Sequence, residues 1–266
     1  MKCLTLPLIA FSLLLPAATH AHDAWILPSA TVLSGKAAWV TVDAAVGNDK
    51  FFFNHRPLNL QGLEITSPEG KPLKAQNLFT GELRSGFDVH LNNPGTYRIA
   101  LVRNGMSAQW KEDGKMRRWF GSSDDFAQKV PQNAADLKVQ ERASRVETFV
   151  TQGKPSTLSN IEEGIGLIAV THPNDLFAGE TAQFIMMVDG KPARQADIEI
   201  EPEGNRYRNN LNTISLKTDD DGKFNVTWPH AGRFWLAMET TSAPKSATLA
   251  SKRTLSYSAT LEVLPQ

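Results

Sequence analysis

Cysteine is nearly missing from this chain. The one thiol, Cys3, lies ahead of an apolar run over residues 4–16, whereas a lipid-anchored cysteine would follow such a run. A chain processed after that run holds no thiol, which excludes disulfides, zinc–cysteine sites and cysteine nucleophiles. Stability then has to come from packed cores. Excess charge is missing too: 28 Lys and Arg face 28 Asp and Glu. No basic stripe is available to release counterions from a nucleic acid, so nucleic-acid binding is disfavoured, and no polybasic stretch suggests docking on a membrane. Beyond the first run, no segment approaches the roughly 20 apolar residues that span a bilayer, and no membrane insertion is expected after processing. Phosphate loops, the Gly-x-Ser-x-Gly elbow and His-Glu-x-x-His helices are absent, which argues against an enzyme.

What is present starts with Lys2, the apolar run, and then Ala17, Ala18, Thr19, His20 and Ala21. A positive start, a short apolar core and small residues three and one before a cut make a secretory signal peptide over residues 1–21. Cleavage is expected between Ala21 and His22, giving a periplasmic protein that begins with histidine.

Short alternating runs cut by turn residues follow. Phe87, Val89 and Leu91 share one strand face, opposite Asp88 and His90, and after Asn92-Asn93-Pro94-Gly95 the alternation resumes from Thr96. Residues 104–145 are rich in charge; 124–130 and 134–143 have helical composition, separated by Pro131, with Trp110, Trp119 and Phe120 expected to pack back onto a domain. Near the end, Leu255, Tyr257, Ala259, Leu261 and Val263 recur with period two. The pattern predicts a mainly β chain: an N-terminal β-sandwich over 22–105, a partly helical connector with a returning strand over 106–160, and an immunoglobulin-like β-sandwich over 161–266. One larger sandwich with a helical insertion is the alternative. Trp25 and Trp39 are expected to fill the first core.

Chemistry concentrates at the new N-terminus. The amine and imidazole of His22 can chelate one ion together, and nitrogen donors suit copper(II) and nickel(II). Asp23 adds a carboxylate. Asp88 and His90 form an Asp-x-His pair on one strand face and, with an N-terminal histidine, resemble the copper site of CopC-like periplasmic proteins; a solvated strand face is the simpler explanation of the pair. His55, among Phe51, Phe52 and Phe53, is a further donor or a packing group. His172 and His230 border proline-marked turns and are expected to be structural. Asp219-Asp220-Asp221-Gly222 lacks the alternating oxygen ligands of a calcium loop and reads as a β-turn.

The stretch Ala21-His22-Asp23-Ala24-Trp25-Ile26-Leu27-Pro28 resembles the start of an uncharacterised periplasmic family whose members are described as periplasmic components of cobalt or nickel uptake systems. The second half agrees in order, through Pro173-Asn174-Asp175-Leu176, Val188-Asp189-Gly190-Lys191-Pro192 and Ala231-Gly232-Arg233-Phe234-Trp235. The resemblance implies a non-catalytic protein that binds nickel, cobalt or copper and hands it to a metal transporter or an outer-membrane receptor. The competing expectation is an envelope module that binds protein or polysaccharide through Trp110, Trp119, Tyr207 and Trp235.

Overall fold

The computed structural model describes residues 23–245 and 249–266, so the signal segment and His22 lie outside the described residues. The chain is mainly β, in mostly antiparallel sandwiches of the immunoglobulin-like kind. The first sheet holds β1 (Asp23–Pro28), β3 (Ala38–Gly47), β4 (Arg56–Pro57), β7 (Gln76–Thr80) and β8 (Ser85–Leu91), in the order β1-β3-β8-β7 with β4 also on β3. A long central sheet runs β16-β15-β18-β19-β11-β9-β5-β6. It comprises β5 (Leu63–Thr66), β6 (Pro72–Leu73), β9 (Gly95–Glu112), β11 (Ala135–Gln152), β15 (Asp197–Pro202), β16 (Ile214–Lys217), β18 (Gly232–Ser242) and β19 (Lys252–Val263), with β2 (Val32–Leu33) beside β11 and β10 (Lys115–Gly121) beside β9. The third sheet is β12 (Ile165–Ala169), β13 (Thr181–Val188), β14 (Lys191–Pro192) and β17 (Lys223–Thr227).

Two sandwiches share the central sheet. Successive side chains of a strand point to opposite faces, and β11 uses both. Val146 and Val150 join Ile26, Val42, Phe87, Val89, Tyr97 and Ile99 under the first sheet. Ala143 and Phe149 join Leu167, Phe184, Trp228, Leu236, Tyr257 and Leu261 under the third. The two cores therefore lie on opposite faces of one sheet, staggered along it. β11 pairs antiparallel with β9 and parallel with β19, which stitches the halves together.

The stretch expected to be a connector differs in kind. Residues 124–130 do carry a helix, α1 (Ser123–Lys129), whose Ser122 cap accepts from the Asp125 backbone N–H at 3.2 Å, with Asp124 and Asp125 in the first turn. Such caps and first-turn acids match the positive end of the helix. Residues 135–143, by contrast, are strand: β9 pairs with β11 from Ala135 and β19 joins on its other side from Gln140, which overrides helical composition. β9, β10 and β11 extend past both sandwiches as an arm. Trp110 and Phe126 close a small core there with Trp119 at its edge, while Phe120 points outward.

Trp39 also departs from expectation. Val40 and Val42 take the inward positions of β3, so period two turns Trp39 outward, 47% exposed. Its ring stacks on His90 at 4.4 Å between centroids.

Candidate functional site at the start of the first strand

β1 enters the structure at Asp23, opposite Gly47 of β3. A Cβ on Gly47 would come within 2.9 Å of the Trp25 ring and 2.7 Å of the Asn54 amide oxygen, so the close approach of β1 to the loop after β3 requires glycine. Trp25 is fully buried and packs with Ala45 and Trp235, with Phe51 and Phe53 at the edge. Trp235 donates its indole N–H to the Ala24 carbonyl at 3.1 Å, and Ser258 Oγ donates to the same oxygen at 3.1 Å. These two bonds tie the first residues of β1 to β18 and β19.

A charged cluster sits on this junction. Lys50, only 3% exposed, pairs with Asp23 and lies 3.4 Å from Glu201, with its ammonium 4.2 Å from the Trp235 ring centroid. A cation over an indole face is stabilised by the ring quadrupole. Glu201 stands opposite Trp235 in the β15–β18 register, and its Oε2 is the oxygen that faces Lys50, an ion pair without a hydrogen bond among the described residues. Burial pushes the Glu201 carboxyl above the ordinary carboxylate range, against the pull of Lys50. Two carboxylates thus share one ammonium.

Of the expected donors, the structure brings some together and not others. Asp23, expected as a ligand, is held by Lys50 instead. His55 is exposed beside Arg56, which pairs with Val46, and Val46 pairs in turn with Ala24. His55 and Asp23 therefore share one end of the first sheet. Asp88 and His90 do not join them: they pair with Thr41 and Trp39, toward the other end of β3. Trp39 and Gly47 are eight positions apart, about 26 Å at ~3.3 Å per residue. Asp88 is moreover engaged, accepting from Asn77 Nδ2 at 2.8 Å and Thr41 Oγ1 at 2.7 Å, bonds that lower its pKa. Among the described residues no three His, Asp or Glu side chains gather as a metal cage.

The other candidates have structural partners. His172 Nδ1 accepts from the Asn174 backbone N–H at 3.1 Å, which leaves Nε2 to donate to Thr96 Oγ1 at 3.0 Å. Asp219 Oδ1 accepts from the backbone N–H of Asp221 and Lys223, a turn rather than a cation loop. Trp110 and Trp235 are buried, so they and Trp119 do not form one exposed patch with Tyr207. Lys50 and Glu201, the residues that define the cluster, escaped sequence reasoning.

Residues 19–242 match the family described as Domain of unknown function (DUF4198). The chain belongs to the DUF4198 family. The match opens at Thr19 and so includes His22, Asp23 and Trp25; in this DUF4198 member Ala24 is anchored on β18 and β19. No curated protein matches the sequence. Among solved structures, an Escherichia coli alpha-2-macroglobulin aligns with 94% of this chain at 13% identity and a TM-score of 0.24; the chain spans 14% of that protein's length. The D0-D1 domain of Intimin aligns at 11% identity and a TM-score of 0.22, over 90% of this chain and 97% of that one. A DUF4785 family protein from Legionella pneumophila aligns at 9% identity and 0.26, over 81% and 51%. At these scores no site residue carries over to the DUF4198 chain.

Proposed function

We propose that this protein is a periplasmic, non-catalytic accessory of nickel, cobalt or copper uptake or homeostasis, and that it holds the ion at a processed N-terminus. The observation that carries the reading is the charge imbalance where β1 begins. Asp23 and Glu201 share Lys50, so the junction carries a surplus carboxylate in a buried setting. A surplus of this kind favours a second cation. In a chain that starts at His22, the α-amine and imidazole are the nitrogen donors adjoining it, and Glu201 is the neighbouring oxygen donor. Asp23 takes a positioning part: Lys50 and the strand register fix it at the start of β1. Metal binding at such a site releases protons and weakens as imidazole protonates, below about pH 6. A metal transporter or an outer-membrane receptor is the partner this reading implies.

The test is calorimetric titration of the processed protein with nickel(II), cobalt(II) and copper(II), beside a form with one extra residue before His22 and beside Glu201→Gln. The reading expects one-to-one binding that the extension weakens at least tenfold, as expected when the chelating amine is lost, and that E201Q also weakens. Equal affinity of processed and extended forms would sink it.

A further inference from the structure

The two faces of β11 differ in how their charges are settled. On the face turned toward α1 and the third sheet, Glu147 is fully buried and accepts from Tyr257 Oη at 2.6 Å and Arg145 Nη1 at 3.3 Å, with Arg98 Nε also at 3.3 Å as an ion pair. Glu141, buried on the same face, accepts from the Lys245 backbone N–H at 2.8 Å. These charges are closed in among protein partners.

The other face of the arm is open. Register places Arg118 of β10, Gln109 of β9 and Lys138 of β11 in one row, and Phe120, Ser107, Gln140 and Lys252 of β19 in the next. Arg142 follows one row on, its Nε donating to Ser107 Oγ at 3.1 Å and its guanidinium 5.8 Å from the Phe120 ring centroid. Further along β11 this side is covered by the first sheet at Val146 and Val150, but Met116, Arg118, Phe120, Lys138, Arg142 and Lys252 are all exposed.

Sign is segregated as well. Lys111 takes up Asp136 at 3.1 Å, whereas Arg118, Lys138, Arg142 and Lys252 form no ion pair among the described residues. The other acids of the arm lie elsewhere. Asp124 and Asp125 open α1, which packs on the opposite face through Phe126, Glu112 is held by Arg117 at 2.9 Å, and Asp113 sits in the turn between β9 and β10. Further along the sheet, Glu239 of β18 stands opposite Ser256, two strands from β11. No local stretch of sequence signals this cationic face, because its residues come from separate strands.

Four uncompensated cations call for an anionic partner. The apolar residues say which kind. Phe120 is 66% and Met116 46% exposed, and both stand on the edge strand β10 with Arg118 between them. Protein interfaces place apolar residues at the centre and charge at the rim, the reverse of this arrangement. A platform for single-stranded nucleic acid stacks successive bases on aromatic rings, and Phe120 is the one aromatic ring on this face among the described residues. Exposed apolar side chains beside Lys and Arg are suited instead to the boundary between lipid headgroups and acyl chains, where cationic stems stay at headgroup level.

We propose that this face of the arm docks on an anionic phospholipid bilayer. Arg118, Lys138, Arg142 and Lys252 lie over the headgroups, and Phe120 and Met116 enter the boundary with the acyl chains. The attraction is reversible and screened by salt.

The experiment is co-sedimentation of the processed protein with sucrose-loaded vesicles of equal parts phosphatidylcholine and phosphatidylglycerol, beside vesicles of phosphatidylcholine alone. Binding to the mixed vesicles and none to the neutral ones is expected, falling as salt is raised. Arg118→Gln and Lys138→Gln each weaken it about fivefold, the share of one cation near an anionic surface, with unchanged circular dichroism. Phe120→Ser also weakens it, while Phe120→Trp keeps it and adds an indole emission that acyl-chain-brominated lipid quenches. Lys191→Gln, which removes an exposed cation on β14, leaves binding unchanged. No binding, equal binding to both vesicle types, wild-type binding in the Arg118→Gln/Lys138→Gln double variant, or an equal loss in K191Q overturns the proposal. So does tighter binding of polyglutamate than of the mixed vesicles at matched charge, which assigns the face to an acidic protein.

Discussion

The two buried clusters are inversions of each other, set on opposite faces of one sheet. At the start of β1, one ammonium, Lys50, serves two carboxylates; under the third sheet, one carboxylate, Glu147, serves two guanidiniums. Each is backed by an aromatic residue, the Trp235 face for Lys50 and the Tyr257 hydroxyl for Glu147. The difference lies in what closes the account of donors and acceptors. Glu147 is fully covered and accepts hydrogen bonds from Tyr257 and Arg145 with Arg98 at ion-pair distance, whereas Glu201 Oε2 meets Lys50 at 3.4 Å as an ion pair without a hydrogen bond among the described residues. A buried ion pair is weak evidence of stability in itself, but removing the central member of a cluster leaves like charges facing each other without water. The comparison therefore predicts that the middle residue of each cluster matters more than either flank, and that the positive cluster, more deeply covered, matters most.

Glu147→Ala is the harshest way to break the symmetry. It strands Arg98 and Arg145 and leaves the Tyr257 hydroxyl without its acceptor, and is expected to cost about 3–5 kcal/mol, read as a lower urea midpoint at unchanged slope. A loss below about 1 kcal/mol would mean that water already screens the cluster. Lys50→Met is next. Asp23 is partly exposed and Glu201 can take up a proton, so the expected loss sits at the lower end, about 3 kcal/mol near neutral pH. Adding Glu201→Met to Lys50→Met should recover part of that loss; a double variant no better than the single would show that the pair is not coupled.

Much of this fold was legible in the sequence, because its strands obey period two where both neighbours agree. Phe87, Val89 and Leu91 face the first core, and Leu255 through Val263 face the second, as their alternation predicts. Residues 134–143 misled because composition favours helix, yet Leu137, Val139, Glu141, Ala143 and Arg145 already alternate with polar neighbours. Trp39 misled because size suggested burial where register dictated exposure. The site was less legible. Lys50 sits in a loop and Glu201 in an ordinary alternating strand; only tertiary folding joins them, and no local spacing signals it. Arg145 and Glu147 did leave a mark, since both occupy the apolar face of a strand between Ala143 and Phe149, where unpaired charge is not tolerated.

The smallest effect concerns the flank of the positive cluster. His172 bonds Thr96, two residues from Arg98, and its ring is held neutral: burial, foremost, lowers its pKa below 6.5, against a backbone contact with Ser156 and the charge of Asp175. The folded chain therefore binds fewer protons than the unfolded chain just below pH 6.5. Stability is flat above that pH and falls as the pH drops from 6.5 toward the lowered pKa, at no more than about 1.4 kcal/mol per pH unit for one proton. His172→Gln, which keeps an acceptor and a donor, should flatten this part of the profile while leaving stability at pH 8 within about 1 kcal/mol of wild type. Urea midpoints from pH 5 to 8 make the measurement. An unchanged slope in the variant would assign the acid sensitivity elsewhere and remove His172 from the set of groups that keep the Arg98 flank free of further positive charge.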